Sequence, residues 1–377
     1  MKKIMLTTAM VSVLTTAAIA QTSITGELRV SYSDVSADKG TGTAATSTTT
    51  KDTSYGFGSE QQINIQNKGK LPIGGLDYAA GFAIENDGDQ TGTIFNENVF
   101  IDIINASSGT TISFSRDHIQ RSDSDYSATN LVGFTPNELS QTSNTTNRNT
   151  RFKQNIGAAP GQQFGAAILQ KLGTFGTVSY NFVPNNNGVT AGALETTSGD
   201  TAGTGGSESV SPNTTTAYEV GFVGDLGVKG LTIHAFKNKN SDFTAAASTV
   251  PGNTGQVAEA TNMGVKYNFG QVTVGLNRKE HSAESTIAVK TATGEITEKA
   301  ISAAFAVNKE LTLGLLYAKA DQEGTTGSLV DQKIKAINIG YALGPIDVAV
   351  GYAKNEDANS VAGADSDHFK ARMITRF

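Results

Sequence analysis

In the stretch LDYAAGFAIE, residues 76–85, Leu76, Tyr78, Ala80, Phe82 and Ile84 alternate with Asp77, Ala79, Gly81, Ala83 and Glu85. Successive side chains of an extended chain point to opposite faces, so one face here is apolar and the other small or charged. A helix would instead space its apolar residues three and four apart. The alternation returns in Met263, Val265, Tyr267 and Phe269 against Asn262, Gly264, Lys266 and Asn268. It returns again in Ile346, Val348, Val350 and Tyr352 against Asp347, Ala349, Gly351 and Ala353. Soluble sandwiches also alternate, but these strands are long and almost none is the fully apolar run of a sandwich core.

Working outward, strands are expected near 22–35, 56–68, 74–86, 95–105, 109–118, 162–171, 174–183 and 216–226. The second half adds 230–240, 259–268, 271–281, 295–307, 310–320, 331–343, 345–356 and 366–377. Short turns near 69–73, 106–108, 172–173, 227–229, 269–270, 308–309 and Gly344 alternate strictly with long polar loops. Each strand has the ~10 residues of a tilted membrane-crossing strand. Short turns on one rim and long loops on the other fit an all-β, closed 16-stranded antiparallel transmembrane barrel. Closure follows because lipid cannot satisfy an open sheet edge. Residues 148–156, RNTRFKQNI, have the pattern of a further strand, but parity assigns them to the returning leg of the third loop, 119–161.

Composition supports this reading. Only 17% of residues are charged and 38% are apolar, the difference being made up by Thr, Ser, Asn and Gln. The absence of cysteine removes disulfides, thiolate nucleophiles and Cys-ligated metal sites together. A mean hydropathy of −0.22, with no long apolar run past the N-terminus, excludes helical membrane spans. Lys2 and Lys3, an apolar run to Ile19 and the small-x-small ending Ala18-Ile19-Ala20 form a secretory signal peptide, 1–20, cut after Ala20. Losing both lysines takes the net charge from −6 to −8, which argues against a nucleic-acid partner. Aromatic residues fall at strand ends on both rims. Tyr32, Phe182, Tyr317 and Tyr352 lie on the long-loop side and Tyr267, Phe269, Tyr341 and Phe377 on the short-turn side, as interfacial anchoring demands.

The chain resembles the general, non-specific trimeric porins of Gram-negative outer membranes. The resemblance rests on the signal peptide, the first strand Ile24 to Leu28, and the hairpin from Gly74-Gly75-Leu76 into Ile84-Glu85. It rests also on Pro136-Asn137-Glu138 in the third loop, Arg148-Asn149-Thr150-Arg151-Phe152 after it, and the terminal Phe377. Thr375 departs from the Tyr or Val usual two residues before the end. The resemblance implies a homotrimer in outer-membrane lipid, passive diffusion of ions and small hydrophilic solutes, and a third loop folded into the lumen. It also implies that Phe377 is the signal read by the barrel-assembly machinery.

Sixteen strands leave an aqueous channel, and charges at its narrowest point set selectivity. On the last strand His368, Lys370, Arg372 and Arg376 share one face, and the first strand beside it carries Glu27, Arg29 and Ser31. Arg29, Lys370 and Arg372, with Arg148 and Arg151, are the candidate basic wall. Asp123, Asp125 and Glu138 of the third loop are the candidate acidic constriction. Opposed across an aperture, the two sets would create a transverse field that orders water and disfavours apolar solutes. The second and fourth strands carry Gln62-Ile63-Asn64 and Asn96-Glu97-Asn98 where the family often places arginines, which thins the basic wall. With the acidic net charge, the expectation is a weak cation preference.

The remaining motifs carry little. His118, His234, His281 and His368 lack metal-ligand spacing. Asp87-Gly88-Asp89 and Asp123-Ser124-Asp125 lack the rest of an EF-hand, leaving only calcium bridged between loop carboxylates as a cofactor to consider. Gly40-Thr41-Gly42 and Gly56-Phe57-Gly58 are not dinucleotide fingerprints, and Ser36-Ala37-Asp38-Lys39 has no partner motif. No catalytic constellation emerges, so an enzyme is not expected. The alternatives to a diffusion porin are a substrate-specific channel, disfavoured by the lack of an inward aromatic ladder, and a non-conducting adhesive barrel.

Overall fold

The computed structural model describes residues 21–38, 51–86, 95–116, 127–140, 164–183, 217–240, 259–282, 295–322, 330–358 and 362–377. Residues 1–20, expected to be a signal peptide, and the segment 148–156 lie outside them. Sixteen strands follow one another: β1 (Gln21–Asp38), β2 (Lys51–Lys70), β3 (Asp77–Asn86), β4 (Phe95–Asn105), β5 (Thr110–Arg116), β6 (Phe164–Lys171), β7 (Thr177–Val183) and β8 (Ala217–Gly224). They continue as β9 (Leu231–Asn240), β10 (Glu259–Asn268), β11 (Val272–Ser282), β12 (Glu295–Ala306), β13 (Leu311–Gln322), β14 (Gln332–Leu343), β15 (Ile346–Glu356) and β16 (Ser366–Arg376). A single turn of helix, α1 (Pro136–Leu139), sits between β5 and β6.

Each strand pairs antiparallel with its neighbours in sequence, and β16 returns to β1, closing the barrel. At the seam Glu27, Arg29, Ser31 and Ser33 face Arg376, Ile374, Arg372 and Lys370 across the ladder. These residues point inward, because the alternate set, Leu28, Val30 and Tyr32 against Thr375, Met373 and Ala371, belongs to the apolar exterior. The outer surface exposes Ile63, Phe82, Ile101, Phe114, Ile168, Val220, Leu276, Leu315 and Ile337, one or more from strand after strand. A surface this apolar suits lipid and is unfavourable in water.

Aromatic contacts run along the rims. On the long-loop side Tyr32 lies 5.1 Å from Phe57 and 6.3 Å from Phe369, and Phe182 lies 5.5 Å from Tyr218, ring centre to ring centre. On the short-turn side Tyr267 stacks on Phe269 at 5.9 Å. Gly344, in the two-residue connection from β14 to β15, takes the positive φ (62°) that such hairpin turns require.

The first hairpin departs from the sequence expectation. Pairing runs unbroken from Gln21–Lys68 to Asp38–Lys51, several residues beyond the expected strand ends and into a stretch read as loop. Polarity caused the difference. Ser36, Thr53 and Ser54 are too polar for lipid, yet a backbone ladder continues in water wherever both strands remain extended. Hydropathy marked the edge of the membrane, not the end of the strand. On β4 a bulge shifts the register between Gly81 and Ala83 of β3, and Asn98 adopts φ 52° there.

Candidate functional site

Residues 127–140, from the third loop, lie against the inward faces of β11 to β16. Glycines make room for them. A Cβ at Gly275 on β11 would collide with the Ala128 carbonyl. One at Gly314 on β13 would come within 2.9 Å of Val132, and one at Gly351 on β15 within 2.7 Å of Phe134. Gly340 on β14 also faces Val132. The segment thus crosses the short-turn third of the wall from β11 to β15, then turns toward the other rim. Gly133 takes φ 72° at the point where it meets Ala349.

The turn is set by α1. Thr135 caps it, with its hydroxyl accepting from the Glu138 N–H (3.2 Å) while the Glu138 carboxylate accepts from the Thr135 N–H (2.8 Å). This reciprocal capping box, with Pro136 in the first turn, stabilises a helix too short to persist alone. It presents Leu139, fully buried, to Ile296, Leu316, Ala318, Ala320, Ile334, Ala336 and Ala353. These are inward-facing residues of β12 to β15, so the apolar core of the molecule lies inside the barrel, beneath the loop.

Polar contacts fix both ends. The Ala128 N–H donates to Asn277 Oδ1 (3.2 Å), and Asn355 Nδ2 donates to the Ser140 carbonyl (3.4 Å). Between them Arg372 donates to Glu138 Oε1 at 2.8 Å and to the Gly133 carbonyl, with its guanidinium 4.8 Å from the centre of the Phe134 ring. Lys370 Nζ lies 4.0 Å from the same carboxylate and 5.6 Å from the same ring. One carboxylate therefore caps the helix with one oxygen and holds the wall with the other.

Of the charges expected to oppose one another, the described ones stand as follows. Glu138 and Arg372 are in direct contact, with no aperture between them. Arg29, on the inward face of the neighbouring β1, is ion-paired to Glu27 (2.9 Å) and to Glu60. Arg376 bridges Glu27 (2.8 Å) and Asp347 (3.0 Å). The other expected residues, Asp123, Asp125, Arg148 and Arg151, lie outside the described residues, as do Asp87 and Asp89. Among the described residues no group of three acidic, histidine or cysteine side chains is placed to hold a metal ion.

Phe377 locks the seam. Its N–H and carbonyl exchange hydrogen bonds with Gly26 (3.0 and 2.7 Å), and its ring covers the space a Gly26 side chain would need. Sequence reasoning missed the glycine track and the two asparagine pins. The glycines were visible on the small faces of the strands, but nothing local said which segment would cover them.

The sequence model of the Gram-negative porin family matches residues 7–373. The chain belongs to the Gram-negative porin family. It is accordingly an outer-membrane channel for small solutes. Among solved structures it is similar to OmpT, an outer membrane protein of Vibrio cholerae, at 14% identity over 95% of this chain and 98% of that one, TM-score 0.57. A form of OmpT lacking loop L8 gives 15% identity, covering 95% and 99%, TM-score 0.60. A mutant of the Rhodopseudomonas blastica porin gives 12% identity, covering 94% and 100%, TM-score 0.54. At such identities these likenesses speak for the barrel alone. No curated protein sequence matches the chain.

Proposed function

We propose that this porin is a general diffusion channel with weak ion selectivity, working as a homotrimer. The observation that carries the reading is the charge balance of its wall. The cations lining the lumen include Arg29, Lys68, Lys70, Lys171, Lys266, Lys279, Lys370, Arg372 and Arg376, and acids are interspersed with them. Those acids include Glu27, Glu60, Asp77, Glu85, Asp102, Glu219, Glu298 and Asp347 on the strands and Glu138 on the third-loop segment. Many are paired with one another, which cancels their fields over short distances.

The described inward aromatics, Phe100 on β4 and Phe236 on β9, stand on separated strands and rest over Gly81 and Gly221. They form no ladder for sugars, which supports diffusion over specific uptake. Glu138 and Arg372 act in this reading by holding the loop segment, which sets the width of the passage, more than by their field. The acidic surplus of the whole chain gives cations a slight advantage.

Planar-bilayer recording of the refolded mature chain tests the proposal. Large ohmic steps closing in threes, with a small reversal potential of cationic sign across a salt gradient, are the expected result. A well-folded barrel without conductance would overturn it.

A further inference from the structure

Two pockets open on the short-turn side of the third-loop segment, one on either flank of Leu131. The first, about 310 Å³, includes Lys309, Glu310, Asp347 and Arg372 in its lining, two charges of each sign. The second, about 600 Å³, is lined by strands β9 to β13 and roofed by Asn130 and Leu131. Its lining holds one charged side chain, Lys266, and a set of neutral hydrogen-bonding groups that includes Thr232, Asn268, Gln271 and Thr273. Lys266 faces inward on β10, opposite Gly275, where the Ala128 carbonyl passes. Among the described residues it has no ion-pair partner, whereas Arg29, Lys370, Arg372 and Arg376 all do.

We propose that Lys266 anchors a subsite for small hydroxylated monocarboxylates on the permeation path. The inference rests on the diffusion reading above and adds a solute class to it. One unpaired ammonium matches one carboxylate, and neutral amides and hydroxyls can both donate to and accept from the hydroxyls of a polyol acid. A cationic solute meets repulsion there, with no acid among the described lining residues to offset it. The balanced pocket next door gives an anion no net attraction. The subsite is open to water, so the contact is weak, with half-saturation on the order of tens of millimolar. Weak binding is what a conducting path requires, since a solute must also leave.

The test compares gluconate with sorbitol, two six-carbon polyols that differ chiefly in the carboxylate, added to the full mature channel in a bilayer held in KCl. Gluconate is expected to produce saturable current noise and partial block, and sorbitol none that saturates. Lys266→Gln should raise the half-saturating gluconate concentration about tenfold, Lys266→Arg should keep it near wild type, and Lys171→Gln should leave it unchanged. Lys266→Met serves if the glutamine variant does not assemble. Equal effects of gluconate and sorbitol, or an unaltered response in Lys266→Gln, would overturn the subsite. So would an equal loss in Lys171→Gln, which would assign the effect to general lumen charge. Failure of the wild type to conduct KCl at all would remove the diffusion reading, and the subsite with it. Normal KCl conductance without a gluconate response would remove the subsite alone.

Discussion

The inner wall of this barrel is two different surfaces built on one repeat. Toward the short-turn side of β1 and β2 the inward residues include Glu27, Arg29, Glu60, Gln62, Asn64 and Gln66, all polar and half-buried or exposed. On β12 to β15 they include Ile296, Leu316, Ala318, Ile334, Ala336 and Ala353, all buried beneath the third-loop segment. Both walls present apolar residues to lipid on their other face. The alternation therefore reports the outer face faithfully everywhere, while the inner face adapts to whatever lies against it. Where that neighbour is a loop carrying Leu139 and Phe134, the inner face turns apolar or shrinks to glycine.

The sharpest way to break this contrast is to substitute glycines on the two walls. Gly275→Val places side-chain atoms where the Ala128 carbonyl runs, a backbone clash harsher than the ~1–3 kcal/mol of ordinary overpacking. The segment should lift from β11, changing single-channel conductance and exposing residues 127–140 to limited proteolysis. Gly56→Ala on β2, where a Cβ meets nothing within 4 Å, should alter neither readout. Heat-modifiable migration on a gel confirms that each barrel remains closed.

Leu139→Ala comes next. Truncating a fully buried leucine costs about 2–5 kcal/mol. Here the loss falls on the attachment of the loop, because the barrel ladder does not depend on it. Open-channel noise should rise and proteolysis at the segment should quicken while the barrel resists denaturant as before.

The same arginine-to-glutamine change should then read differently on the two walls. Arg372→Gln removes the contacts to Glu138 and the Gly133 carbonyl, weakening the segment's hold by about 1–3 kcal/mol. Its signature is fluctuating conductance. Arg29→Gln removes one ion pair from Glu27, which keeps Arg376, and one from Glu60. It should move the reversal potential toward cations with steady conductance. Matching signatures in the two variants would mean that Arg372 acts through its charge and not by holding the loop. The smallest effect is expected for Asn64→Ser, a half-buried change on the polar wall, within about 0.5 kcal/mol and silent in conductance.

How far the sequence carried the reading follows from the same contrast. Strand positions from β9 to β16 were legible to within two residues, because lipid on one face enforces period two and glycine or polar turns interrupt it. The extent of the first hairpin was not, because above the membrane a strand needs no apolar face. Glu138 and Arg372 were legible as lumen charges opposed across an aperture. Their direct contact was not, since it depends on Thr135 capping α1 and on Gly351 leaving room for Phe134. Lys266 was visible as one polar residue in an alternating strand, and that no described residue forms an ion pair with it became visible only once β9, β11 and the loop surrounded it.

By itself, then, the sequence of this chain determined a closed sixteen-stranded barrel, its rims, its lipid-facing band and its porin character. All of these are local or periodic properties that each strand expresses independently in contact with membrane and water. The tertiary structure alone decided which wall the third loop covers, which lumen charges neutralise each other and which, Lys266 among them, have no ion-pair partner among the described residues. Those outcomes depend on side chains brought together from strands hundreds of residues apart, and no periodicity records that meeting.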